Sequence, residues 1–174
     1  FMSGIDIIYI GQFPLMKKRD INAYFEDGAI YVTNDQDDEM DMIEDIIHEI
    51  AHAVESNHQQ FIYSTGAIQR EFLAKRVRLA GLLSQKFNVP KDFTTNFEYD
   101  KGIDDFLYRD VGYDNLNQIC VNIFPSAYAV TSLSEYWAKG FEELFVGDDA
   151  ELSKICPVLY RTLFALLKDL EEET

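Results

Sequence analysis

Hydrophobic positions change their period several times along the chain, and each change predicts an element. Residues 5–10, IDIIYI, are β-branched and nearly continuous, the pattern of a buried strand. PLMKKRDINAYFEDG predicts a short helix followed by a turn at Asp27-Gly28. AIYVT, residues 29–33, predicts a second strand, and NDQDD after it offers side-chain acceptors for a helix N-terminus. From about 37 to 56 the apolar set Met42, Ile43, Ile46, Ile47, Ile50, Ala51, Ala53 and Val54 covers most of a helix circumference, which predicts a central, enclosed helix. A third helix is expected over 65–87, with Ile68, Phe72, Leu79, Leu82 and Leu83 inward.

Residues 88–102 lack a clear period and read as an aromatic-rich loop. Short helices are expected at 103–109 and 113–122, then a break in FPSAYAVTS at Pro125, a helix at 133–146, and a last amphipathic helix opened by Pro157 and running to about 171. Few strands, early, followed by helices predict one α+β domain. Its N-terminal lobe would span about 1–60 and its helical C-terminal lobe about 61–174.

Composition agrees with a packed domain: 174 residues, 47% hydrophobic and 14% aromatic. The formal charge of −16 changes the range of partners. Such a surface repels phosphate backbones, so nucleic acid is not expected as a partner. Five of the fifteen basic residues, Arg70, Lys75, Arg76, Arg78 and Lys86, fall in the third helix and read as a solvated stripe. No uninterrupted apolar stretch reaches the roughly 18 residues of a membrane span, so no membrane association is expected. Cys120 and Cys156 form no metal-like pair and no disulfide framework. A reducing, cytoplasmic setting fits them; secretion would need a leader segment removed ahead of Phe1, which precedes Met2. The compartment stays open.

Acids at Asp35, Asp37, Asp38, Glu39 and Asp41 suit the positive end of a helix dipole. A calcium loop is disfavoured there, because its glycine and closing glutamate are not at the required spacing.

The chemistry lies in HEIAH, residues 48–52. His48 and His52, four apart, project from one helix face within about 6 Å of each other. That lets both reach one zinc ion at about 2.0–2.1 Å. Glu49 is turned about 100° round the helix, beside such an ion rather than on it, which suits a general base. A third ligand is still needed. His58 stands where a metzincin would place it, but that pattern requires glycine at 55 and Glu55 is there. His58 is instead expected to be exposed or capping. The third ligand should be a carboxylate on a later helix.

AYAVTSLSEYWAKGFEELF, residues 127–145, holds EYWAKGF beginning at Glu135, with Tyr128 seven residues earlier. Together with HEIAH this resembles gluzincin metallopeptidases, in particular the branch of anthrax lethal factor and the Pro-Pro endopeptidases. The resemblance covers the 29–33 strand, the HEIAH helix and the 128–141 segment, and little of residues 57–120. It implies a mostly helical zincin-like fold, Glu135 as third zinc ligand, and Tyr128 as donor to the oxyanion. Ser132 or Ser134 could alternatively make Glu135 an ordinary first-turn acid. One departure stands out: many gluzincins carry an acid four residues after the ligand glutamate, and here it is Lys139. Asp45 is the candidate for orienting His48 instead, whereas Glu142 and Glu143 lie two turns away and are not expected to be ligands.

The expected activity is zinc-dependent peptide-bond hydrolysis with Glu49 as base, on a protein or peptide substrate laid along 29–33 as an edge strand. The rival is a zinc-binding structural or interaction module without catalysis, for which Glu49 and Tyr128 would have no use.

Overall fold

In the computed structural model, residues 4–19 and 21–172 are described; Phe1 and Met2 lie outside them. Asp27 (φ 49°) and Gly28 (φ 79°) both take the left-handed conformation. That is the backbone of a type I′ turn, the two-residue link that matches the twist of a hairpin. It joins strands β2 (Ala23–Glu26) and β3 (Ala29–Val32), with Glu26 opposite Ala29. Strand β1 (Ile7–Ile10) pairs with β3 in parallel on its other side, giving the order β1-β3-β2.

Two expectations are corrected here. The 29–33 strand is central, not an edge, because the unforeseen β2 folds back against it. The short helix expected in PLMKKRDINAYFEDG is Pro14–Arg19 (α1), and AYFE later in that run is the unforeseen strand. Strand β1 is also not buried: Ile7 and Ile10 are 44% and 59% exposed, while Ile30 and Val32 of β3 are 0% exposed. β-Branching marks an extended chain, not its depth. Tyr9, Tyr31 and Tyr24 stack across the three strands at centroid distances of 5.2 and 4.6 Å, cross-strand pairs that fix the register.

The long helix α2 (Glu39–Tyr63) starts where the acids allow. The Asp38 side chain caps it, accepting from the N–H groups of Met40 (2.7 Å) and Asp41 (3.1 Å). The helix continues beyond 56, through a kink at His58 (φ −122°, ψ 23°). His58 therefore sits half-buried inside the helix, neither exposed nor capping. Full enclosure holds only for the later turns, where Ala51, Ala53, Val54 and Ile62 are buried; Ile43 is 38% exposed. The first turns lie at the rim, where Met40 is 51% exposed.

Helix α3 (Ala67–Leu83) is followed by a 3-10 turn at Lys91–Thr94, so the 88–102 stretch is in part regular, with Phe93 buried. Of the expected solvated stripe on α3, Arg70, Arg78 and Lys86 are exposed, but Lys75 is half-buried and Arg76 is wholly buried. Helix α4 (Lys101–Asp105) runs into a π-helical turn, Phe106–Val111, and then α5 (Tyr113–Ile119). Helices α6 (Leu133–Phe145), α7 (Asp149–Ile155, not anticipated) and α8 (Pro157–Glu172) complete the chain. The molecule is thus α+β, mostly helical with a small N-terminal sheet.

One apolar cluster runs from the later turns of α2 through α3, α6 and α8. Its most extensive helix pair is α2 with α6. Trp137 of α6 is wholly buried and donates its Nε1–H to the carbonyl of Ala51 at 3.0 Å. That bond docks α6 on the stretch of α2 between the two HEIAH histidines. Among the described residues no helix is long and apolar enough to cross a membrane.

Candidate metal centre

Ser132 begins α6 by capping it, accepting from the N–H of Glu135 at 3.1 Å. The first-turn reading of Glu135 is thus true of its backbone. Its carboxylate does something else. Helical periodicity turns His48 and His52 toward α6, and Glu135 meets them: His48 Nε2 lies 3.1 Å from Glu135 Oε2, and His52 Nε2 lies 3.7 Å from Glu135 Oε1. The two Nε2 atoms are 3.2 Å apart. Glu135 Oε2 is buried and has no hydrogen-bond partner despite the close approach of His48.

The outer nitrogens explain why the inner ones face each other. Ser134 Oγ donates to Glu55 Oε2 at 2.5 Å, so towards His52 Nδ1, 3.1 Å away, it can only accept. His52 Nδ1 must then carry the proton, and Glu55 Oε2 at 3.5 Å draws it further. On the other ring, His48 Nδ1 faces Glu142 Oε2 at 3.4 Å and is likewise the donor. In their neutral forms both rings therefore present Nε2 lone pairs to a common point, beside a carboxylate oxygen that lacks a donor. Three acceptors at such distances repel one another unless a cation lies between them.

The spacing fits that cation. Ligand bonds of 2.0–2.1 Å in tetrahedral array place neighbouring donor atoms about 3.3 Å apart, close to the 3.1, 3.2 and 3.7 Å found. Each of His48, His52 and Glu135 offers one atom, all within 4.8 Å of one another, a group that could hold a metal ion. It is the only such group among the described residues. No family model, no curated protein and no solved structure matches the chain.

The outer partners correct the sequence reading. Asp45 does not orient His48; it accepts from Gln36 Nε2 at 2.7 Å. Glu142 takes that place, two turns along α6 from Glu135, and Lys139 clamps it with contacts of 2.6 and 2.8 Å. The lysine that replaces an acid in the gluzincin pattern thus pairs with an acid one turn further on. Glu143 instead accepts from the N–H of Asp148 at 3.0 Å. Glu55, Ser134 and Tyr63 were missed: Tyr63 OH donates to Glu55 Oε1 at 2.5 Å and completes the brace behind His52. Glu55 had a signal, since it stands one turn after His52 on the same face.

Charge follows this geometry. Burial opposes ionisation of Glu55, but hydrogen bonds from His52, Ser134 and Tyr63 hold its pKa below the usual range. Burial likewise opposes charge on Glu142, and His48 and Lys139 outweigh it. In His48 burial lowers the pKa, yet Glu135 and Glu142 more than offset this and raise it to about 9. The three carboxylates around the rings thus attract positive charge, and a proton supplies it when a metal does not.

This sets a pH dependence. A histidine raised from 6.5 to about 9 stabilises the fold fully below pH 6.5, and that stabilisation is lost as pH climbs through 9. Chemical denaturation of metal-free protein should show a loss approaching about 3 kcal/mol over this window, by the usual conversion of a pKa difference. With metal bound, proton competition disappears as pH rises and the slope should reverse. A metal-free protein equally stable at pH 6.5 and 9 would contradict the picture of His48.

Glu49 is not among the three candidate ligands. Burial raises its pKa, opposed by His52 and His48, while a backbone hydrogen bond from Phe25 of β2 also draws it down. Tyr128 lies on a 3-10 turn, Tyr128–Val130, and its ring centroid is 6.4 Å from that of His48. It is 45% exposed. Burial of its hydroxyl and the charge of Glu135 raise its pKa, which keeps the phenol a donor at neutral pH. Tyr113, unnoticed in the sequence, is pushed up to about 12 by burial, then by Asp104 and Glu135. The structure thus brings His48, His52, Glu135, Glu49 and Tyr128 into one neighbourhood and leaves His58, Asp45 and Glu143 without a part in it.

Proposed function

We propose that this chain is a zinc-dependent endopeptidase of gluzincin type, with His48, His52 and Glu135 holding the ion. The observation that supports it most is the pair of Nε2 lone pairs and an orphaned carboxylate oxygen facing one point. Nitrogen and oxygen donors in this number suit zinc, with a position left for water. A bound zinc ion would supply Lewis acidity, lowering the pKa of a water and polarising a carbonyl.

The chain's own residues do the rest. Glu49, beside the ligands on α2, accepts a proton from the attacking water and passes it to the leaving amine. Its raised pKa brings it closer to neutral pH, where a base that must also act as acid works best. Tyr128 donates its hydroxyl hydrogen bond to the oxyanion as charge develops there. Glu142, Glu55 and Ser134 fix the ring orientations, so that neither imidazole must reorganise.

The substrate edge moves from β3 to β2. Asn22 O accepts from Thr33 N at 2.8 Å, so Ala23 and Phe25, one and three residues on, direct their main-chain groups away from β3. The main-chain hydrogen bond from Phe25 to Glu49 marks that free edge as the one beside the proposed base. An extended peptide would add there as a fourth strand. Incubating zinc-loaded protein with a mixed peptide library should yield new termini, seen by mass spectrometry, that vanish with chelator and return with zinc. Stoichiometric zinc without new termini would favour the non-catalytic module.

A further inference from the structure

Arg76 of α3 is wholly buried in a protein of charge −16, yet it forms no salt bridge among the described residues. Burying a cation without an anion is costly unless every proton finds an acceptor. Here every one does. Nε and Nη2 donate to the carbonyl of Val130 at 3.0 and 2.6 Å, and Nη2 also donates to that of Thr131 at 2.8 Å. Nη1 donates to the carbonyls of Phe93 and Asn96 at 3.2 and 2.6 Å. Those five bonds account for all five N–H groups of a guanidinium. The rings of Phe72 and Phe93 lie against it, their centroids 4.7 and 4.9 Å from Cζ. Burial lowers its pKa only to about 10, so it stays cationic at neutral pH.

The carbonyls it gathers belong to 93–96 and 130–131, the ends of two 3-10 turns, where buried acceptors need donors. The second segment lies between Tyr128 and Glu135. From the guanidinium outward the hydrogen bonds continue. Thr131 Oγ1 donates to Tyr128 O at 2.8 Å, Leu133 N donates to Phe97 O at 2.7 Å, and Ser132 caps Glu135 at 3.1 Å. A side chain that is not itself a candidate ligand is thus bonded to the segment that leads into the first turn of α6, where Glu135 meets the two imidazoles.

We infer that Arg76 is a positioning residue for the metal centre, gathering the 93–96 and 130–131 carbonyls so that Glu135 and Tyr128 are held against α2. The inference rests on the reading of His48, His52 and Glu135 as metal ligands. Lysine cannot reproduce the planar fork, so Arg76→Lys releases some of the four carbonyls while keeping the charge.

The test is a double-mutant cycle read as zinc affinity by chelator competition, on proteins whose fold is verified by near-ultraviolet circular dichroism. Arg76→Lys should lower zinc affinity about tenfold or more, the size found when partners that orient ligands are removed. The d–d spectrum of the cobalt(II)-loaded variant should change with it. Against a Glu135→Ala background the same substitution should have no further effect, because the residue it positions is gone. Phe93→Leu, which removes one of the two rings against the guanidinium and keeps every donor, should show the same pattern in weaker form and decides the matter if Arg76→Lys does not fold. Unchanged affinity in the folded variant overturns the inference, as does an equal loss in both backgrounds. A wild-type protein that binds no zinc would overturn both the inference and the metal centre; a zinc-binding wild type with equal losses overturns the inference alone.

Discussion

Glu49→Gln is expected to bind zinc as the wild type does and to lose peptide hydrolysis by a factor of about 1,000 or more. The two outcomes separate because Glu49 stands outside the three-residue ligand group. Glutamine keeps the size of the side chain and an oxygen that can accept from Phe25, so the helix and the free edge of β2 should be undisturbed. It cannot take a proton from water, and a positioned base is worth about 100- to 10,000-fold. The charge removed lies near His48 and His52 and raises His48's pKa, although Glu135 and Glu142 contribute more. Zinc affinity should therefore move only a few-fold. Chelator competition and library cleavage measured on one preparation give both numbers. A variant that still cuts at near wild-type rate would remove Glu49 from the mechanism and leave the water without a base.

Glu135→Ala should do the opposite, striking the metal first. It removes the only ligand candidate that comes from outside α2 and leaves two imidazole nitrogens 3.2 Å apart with nothing to close the site. The loss in zinc affinity should exceed the about 10- to 100-fold typical of an orienting partner. Glu142→Gln, which removes the partner of His48 Nδ1 and of Lys139 but no candidate ligand, should fall within that smaller range. The fold should survive Glu135→Ala, since the cap of α6 uses the backbone N–H at 135 and the Ser132 hydroxyl. Calorimetric titration of both variants with zinc orders the two effects; equal affinities for wild type and Glu135→Ala would place the ion elsewhere.

The sequence made the local parts of this site legible and hid the parts that depend on tertiary contact. Two histidines one turn apart are a property of the helix alone, so HEIAH could be read directly. Ser132 as cap and Pro157 as first-turn residue are local in the same way. Glu142 was set aside because two turns looked too far for a ligand. That argument holds for a ligand but says nothing about a partner on the far nitrogen of His48, which only the packing of α6 on α2 creates. Arg76 shows the same limit more sharply: on a helix wheel it belongs to a basic stripe, and nothing local announces four carbonyls arriving from two distant segments. Strand β2 failed for a different reason. AYFE is only four residues long and follows a helix-forming run, so its pairing rests on the Asp27-Gly28 turn, whose type I′ conformation an isolated turn signal does not specify.

The decisive observation is where a metal ion sits. An anomalous difference map from crystals of zinc-loaded protein, collected on either side of the zinc absorption edge, should show one strong peak at about 2 Å from His48 Nε2, His52 Nε2 and a Glu135 oxygen. A map with no peak among these three side chains, or with His48 and His52 hydrogen-bonded to each other and Glu135 turned away, would contradict the metal centre and everything built on it.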